Sequence, residues 1–209
     1  MANVSFHDAL KNSYAKKKAD KLGGYILDKS LSNDNQQTYY NPTSKKLLYS
    51  ITGTHSAGDW ITDAKLATGI GFKESKRYKD AHDGLRQAKE KYGVQTAHVV
   101  GHSLGGTIAG YIASQGDKVL TLDKGATIGQ RVKKGETAYR TSGDLVSALN
   151  ATSKHTKTLS NPNGGSLIST IGKGVAAIAT GNIAPALSAV GDVLSSHNVK
   201  NIENEAIFV

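Results

Sequence analysis

The sequence predicts an α/β fold, a mainly parallel central sheet with helices on both faces, and three observations carry that prediction. Short apolar or β-branched runs at Leu47 to Ile51, Val94 to Val100 and Lys118 to Leu122 alternate with helix-compatible stretches. From Lys73 onward, Tyr78, Ala81, Leu85, Ala88 and Tyr92 recur at helical spacing, and Gly93 stops the pattern. Between the second and third runs, Ala97-His98-Val99-Val100 leads directly into Gly101-His102-Ser103-Leu104-Gly105-Gly106, and a small-residue run leaves it. Strand, tight turn and helix in that order are the context a G-x-S-x-G nucleophile elbow requires.

Taken in order, residues 4 to 22 set Val4, Leu10, Tyr14 and Leu22 among lysines and polar residues, which predicts a basic amphipathic helix packed on the sheet and ended by Gly23-Gly24. Strands are expected over Gly24 to Leu31, Thr38 to Asn41 and Lys45 to Thr52, with Asn41-Pro42-Thr43-Ser44 as the turn between the last two. The last of these is the most apolar and should lie inside the sheet. Thr54 to Gly71 reads as a polar, glycine-bearing loop holding the only tryptophan, Trp60. Val94 to Val100 is the strand into the serine turn, and Thr107 to Ser114 the helix out of it. Lys118 to Leu122 is a further strand ending at Asp123, and a shorter element around Ala138-Tyr139-Arg140 leads to Asp144. The segment 164–191 is rich in Gly, Ala, Ile and Ser, with Lys173 its only charge. It is long enough to suggest a membrane span, but Pro185 and its frequent polar and glycine residues argue against one. It is expected to form a lid-like or buried helical pair, or else a membrane-contacting surface.

Composition narrows the function. A chain of 209 residues with 38% hydrophobic content is expected to form a single domain, 1–209, around a sizeable core. The absence of cysteine excludes disulfides and thiolate metal sites. Met1 to Asp8 contains no basic stretch leading into an apolar one, so no secretory signal peptide is expected. The expected location is cytoplasmic or at a membrane periphery, or outside the cell by a non-classical route. The net charge of +9 includes the clusters Lys16-Lys17-Lys18, Lys45-Lys46 and Lys133-Lys134. Most of it reads as solvated surface. If it has a partner, an anionic membrane is favoured, because the basic residues are not interleaved with aromatics and no nucleic-acid motif is present. No nucleic-acid partner is expected, and no oligomeric state follows from the sequence.

A serine hydroxyl becomes a useful nucleophile when a histidine takes its proton and a carboxylate fixes that histidine. In folds built on this turn the chain order is Ser, acid, His. After Ser103 only His155 and His197 remain. His155 sits in a polar, loop-like stretch, so His197 is the preferred base. Asp192 is too near His197 along the chain to approach it from a separate loop. That leaves Asp144, which follows a short strand, as the preferred acid, and Asp123, at the end of the strand after the serine helix, as the alternative. The oxyanion hole needs two backbone N–H groups. Leu104 supplies one, and Thr54, beyond the break at Gly53, is expected to supply the other.

With these residues placed, the chain resembles the class 3 lipase family of α/β-hydrolases. Tyr49 to Ser56 followed by Asp59-Trp60-Ile61-Thr62-Asp63 is similar to that family's oxyanion segment, Gly71-Phe72 to the pair before its long helix, and Gly101 to Gly106 to its Gly-His-Ser-Leu-Gly-Gly turn. Gly143-Asp144-Leu145-Val146 is similar to its Asp-x-Val, and His197 falls where its histidine stands. Two positions depart from the pattern: Thr52 replaces the usual arginine, and Thr127-Ile128-Gly129-Gln130 stands where Phe-Gly-x-Pro-Arg is common. The resemblance implies an α/β-hydrolase-like fold and a serine carboxylic-ester hydrolase of lipase type, acting on acylglycerol or phospholipid esters without metal or organic cofactor. It also implies a mobile lid over about His55 to Thr68, with Trp60 as its apolar anchor or hinge. The alternative is a non-catalytic membrane-binding or structural protein on the same scaffold.

Overall fold

The computed structural model describes residues 4–54, 72–125, 132–144, 146–147, 150, 153–160, 197–203, 205 and 207–209. The expected lid from His55 to Thr68 with Trp60, the run Thr127 to Gln130, the segment 164–191 and Asp192 lie outside the described residues.

The described elements run α1 (Phe6–Tyr14), β1 (Lys21–Leu22), β2 (Tyr25–Leu27), a 3-10 turn (Lys29–Leu31), β3 (Gln36–Asn41), β4 (Lys46–Ile51), α2 (Lys76–Tyr92), β5 (His98–His102), α3 (Leu104–Ile112), β6 (Lys118–Leu122), β7 (Glu136–Thr141), β8 (Thr156–Leu159) and a second 3-10 turn (Val199–Ile202). The strands form one sheet whose order follows the sequence from β1 to β8. Strands β1 to β4 pair antiparallel, and β4 to β8 pair parallel. The expected α/β-hydrolase-like sheet is therefore present, with an antiparallel meander as its first half. Its two most N-terminal strands are only two and three residues long.

Alternation along the central strands sends side chains to two cores. On one face Leu47, Tyr49, Ile51, Val99 and Val119 pack against Ala81, Leu85 and Ala88 of α2 and Leu104, Ile108 and Ile112 of α3. On the other, Leu48, Val100, Leu120 and Leu122 pack against Phe6, Ala9 and Leu10 of α1 and against Ile202. Helices thus cover both faces. Burying each large side chain in these layers is worth about 1.5–3 kcal/mol.

Several expected boundaries move. The helix expected over residues 4 to 22 is α1 alone. Ser5 caps its start by accepting the Asp8 N–H at 2.9 Å, and Lys18 folds back to donate to the carbonyls of Ser13 and Ala15 at 2.7 Å each. Leu22 belongs instead to β1. The strand expected from Gly24 to Leu31 ends at Leu27, because the Asp28 carboxylate accepts the Ser30 N–H and starts the 3-10 turn. The turn at Asn41 forms as expected, with Asn41 Oδ1 accepting the N–H groups of Thr43 and Ser44. The long helix begins at Lys76, capped by Ser75, and ends at Gly93 in the left-handed conformation. The strand into the elbow begins at His98 rather than Val94, and the helix out of it at Leu104 rather than Thr107.

Register sets the functional edge. Ile51 pairs with Gly101, Gly101 with Thr121, and Leu122 with Tyr139. The carboxyl ends of β4, β5, β6 and β7 are therefore level. The residues that follow them, Thr52 to Thr54, Ser103, Asp123 and Asp144, emerge along one rim. That rim is where open α/β sheets hold ligands.

Candidate active site

Strand β5 delivers Ser103 in a backbone conformation of φ 56° and ψ −128°, a region that L-residues rarely occupy. Such a conformation stores on the order of 1–3 kcal/mol and persists only where its surroundings dictate it. Here the Ser103 N–H donates to the Leu122 carbonyl and the Thr107 N–H to the Ser103 carbonyl, each at 3.0 Å. The turn is also crowded. A Cβ on Gly101 would run into the Gly105 backbone, and one on Gly105 into the carbonyls of Ile51 and Thr52. Both glycines are thus required by close backbone approach rather than by dihedral angle. The Ser103 side chain makes no capping bond to α3, which leaves its hydroxyl uncommitted to the helix. Leu104 opens α3, so its N–H has no intrahelical acceptor and lies at the positive end of the helix dipole.

Fifty-three residues separate Asp144 from His197, yet His197 Nδ1 donates to Asp144 Oδ1 at 2.7 Å and both side chains are buried. Asp144 is held in turn by the Ser147 N–H at 2.7 Å and by the Ser147 hydroxyl. Burial alone would push the His197 pKa down, but the Asp144 carboxylate beside it, and more distantly Asp123, outweigh that and hold it above the ordinary value. His197 Nε2 is buried without a hydrogen-bond partner among the described residues.

Asp123, the alternative acid, stands beside this pair rather than in it. Its carboxylate accepts the Thr141 N–H and, at 2.8 Å, the Thr141 hydroxyl, and its backbone φ is 46°. Burial, reinforced by the negative charge of Asp144, raises its pKa well above the usual carboxylate range. His155, the other histidine after Ser103, is exposed in the turn before β8, where its carbonyl accepts the Ala138 N–H.

Thr54 follows the end of β4. The neighbouring Gly53 backbone is so near the serine turn that a Cβ there would stand 3.0 Å from Ser103 Cβ. Three residues to which sequence reasoning assigned no role at the site converge here. The Tyr14 hydroxyl accepts the Gly53 N–H at 2.9 Å and is hydrogen-bonded to His102 Nδ1 at 2.7 Å. His102 stacks obliquely on His197, ring centroids 4.6 Å apart, and burial with the neighbouring His197 lowers its pKa. Arg77, from the first turn of α2, donates to the carbonyls of Thr52 and Gly53. Tyr14 occupies an apolar-looking helix position, and Arg77 is one charge among many on a polar helix, so neither carried a signal.

His102, Asp123 and His197 offer ligand atoms within 4.8 Å of one another, the one group of metal-ligating type among the described residues. Both Nδ1 atoms are already engaged, by Tyr14 and by Asp144, leaving only the two Nε2 atoms and the Asp123 carboxyl to face a cation.

No protein-family model matches the sequence, and no curated protein is similar to it. The structure does have counterparts. One is a triacylglycerol lipase described as having a serine-protease triad at its catalytic centre. It shares 16% identity, covers 70% of this chain and 72% of its own, and has a TM-score of 0.50. Another is the Rhizomucor miehei lipase in complex with its propeptide, with 14% identity, 75% and 65% coverage and a TM-score of 0.50. Likeness at such identity speaks to architecture, and it agrees with the sheet and the elbow described above: the chain has the α/β-hydrolase-like fold in the form seen in triacylglycerol lipases.

Proposed function

We propose that the chain is a serine carboxylic-ester hydrolase of lipase type. The observation that carries this reading is the buried His197–Asp144 pair on the same sheet rim as the strained Ser103 turn. In the proposed cycle Ser103 Oγ forms a bond to the ester carbonyl carbon while His197 Nε2 takes the hydroxyl proton. The carbonyl π electrons become an oxyanion, which the N–H groups of Leu104 and Thr54 stabilise. The intermediate collapses, the alkoxide leaves with the proton from His197, and an acyl-Ser103 ester remains. Water, giving a proton to His197, then adds to the acyl carbon, and Ser103 Oγ leaves with that proton as the carboxylic acid is released. Asp144 holds the imidazole in the tautomer that presents Nε2 to Ser103 and offsets the charge on the imidazolium.

Acylglycerol or phospholipid esters are the proposed substrates. The net charge of +9 supports action at an anionic lipid surface. The test is labelling of Ser103 by a fluorophosphonate together with turnover of short- and medium-chain p-nitrophenyl esters, both abolished in Ser103→Ala. A parent protein that binds anionic liposomes but is neither labelled nor active overturns the enzyme reading in favour of a membrane-binding protein on a hydrolase scaffold.

A further inference from the structure

We infer that Arg77 is a positioning residue for the oxyanion hole, aiming the Thr54 N–H at the reacting carbonyl by holding the opposite ends of two successive peptide groups. The inference rests on the hydrolase reading proposed above and adds a residue to its machinery.

The argument starts from the peptide bond. No described peptide is cis, and in a trans peptide the C=O and N–H point in opposite directions within one plane. Whatever fixes the carbonyl therefore fixes where the next N–H points. In the Thr52–Gly53 peptide both ends are visible. The Thr52 carbonyl accepts from the Arg77 guanidinium, and the Gly53 N–H on the other side donates to the Tyr14 hydroxyl. The Gly53–Thr54 peptide is held in the same manner at its carbonyl, which accepts from the other terminal nitrogen of Arg77 at 3.4 Å. Its N–H, belonging to Thr54, must then point away from Arg77, to the side occupied by Tyr14, His102 and Ser103. Two successive N–H groups facing one side form a concave nest suited to a negative charge. The first donates to Tyr14. The second, of Thr54, is the proposed donor to the oxyanion.

Arginine suits this task better than lysine. Its planar fork can hold two carbonyls at once, whereas an ammonium is a single point of charge on a flexible stem. Arg77 is also half-buried and anchored in the first turn of a 17-residue helix capped by Ser75, so the fork is presented by a rigid element rather than by the loop it orients. An N–H aimed by such a fork needs no reorganisation as the oxyanion forms, which is where hydrogen-bond donors contribute most to catalysis.

The experiment compares the parent with Arg77→Met and Arg77→Lys on a soluble p-nitrophenyl ester, reading kcat and KM separately, with thermal unfolding and the Thr54 amide resonance as activity-independent readouts. For Arg77→Met the expected result is a kcat lower by roughly tenfold to a hundredfold with KM moved less than about threefold, since the interaction acts in the transition state. The Thr54 amide resonance should move as well. Arg77→Lys should fall between, and if Arg77→Met fails to fold, Arg77→Lys decides. Parent-like kcat in either variant, or a loss confined to KM or to unfolding temperature, overturns the inference while leaving the hydrolase reading intact. An inactive parent with unlabelled Ser103 overturns both.

Discussion

The hydroxyl of Tyr14 lies 2.7 Å from Nδ1 of His102, a residue 88 positions away, and the same oxygen accepts the Gly53 N–H. The last residue of α1 thereby ties His102, the residue before Ser103, to the end of β4. Tyr14→Phe keeps the ring and removes the link, leaving a buried imidazole nitrogen and a backbone N–H to find other partners. A loss of about 2 kcal/mol in urea unfolding is expected, together with a drop in kcat larger than that of a conservative change elsewhere on α1. Parent-like stability would show the link to be dispensable.

The two acids separate under substitution. Asp144→Asn leaves His197 Nδ1 beside an amide that cannot serve as a carboxylate, and kcat should fall by about 10⁴. Asp123→Asn keeps an acceptor for Thr141 and should leave kcat within about tenfold of the parent. Comparable losses in both would transfer the acid role to the pair.

Asp123 also predicts a trend in stability. Its folded pKa is raised, so the native state holds a proton that the unfolded chain releases, and the unfolded state binds fewer protons. Stability then falls as pH rises from the ordinary carboxyl pKa of about 4 towards the raised value. Urea midpoints measured across that window should slope downward in the parent and flatten in Asp123→Asn.

In the proposed cycle His197 sets the pH dependence of turnover. As a base it must be neutral, and Asp144 holds its pKa above the ordinary 6.5 in spite of burial. The acid limb of kcat/KM on a soluble ester should therefore have its inflection above about pH 6.5. An inflection below that value would contradict the charge environment described.

Behind the elbow, Lys124 Nζ and Glu136 Oε1 form an ion pair with both side chains essentially sealed from solvent. Glu136→Gln strands the ammonium and should destabilise the protein by about 3–5 kcal/mol in denaturant titration. Adding Lys124→Met should recover much of that loss, because the uncompensated charge, rather than the missing pair, is the larger penalty.

The central sheet was legible because β4, β5 and β6 carry apolar residues on both faces and are bounded by glycine or aspartate. The candidate site was legible where one residue type sits at a chain position with few alternatives, as with His197 and Asp144. Strand β8 was not: Thr156-Lys157-Thr158-Leu159 lies at the sheet edge with only Leu159 buried, so no apolar pattern marks it. The end of α1 was not, because Leu22 falls at helical spacing from Tyr14 while Lys18, between them, folds back onto the Ser13 and Ala15 carbonyls at the helix end. Tyr14 and Arg77 were invisible for a different reason. Their roles depend on oxygen and nitrogen atoms brought together across dozens of residues, which neither periodicity nor composition encodes.

Among the described strands, order in the sheet equals order in the chain, so each docks on the one made before it and none waits for a later described strand to be inserted beside it. During synthesis the sheet can grow outward from the antiparallel meander in the direction of translation, with its growing edge always the newest strand. Ser103 and Asp144 are then in place while His197 has yet to be made. The nascent chain carries Ser103 without its proposed base until position 197 has been added, a built-in delay between folding the scaffold and arming it.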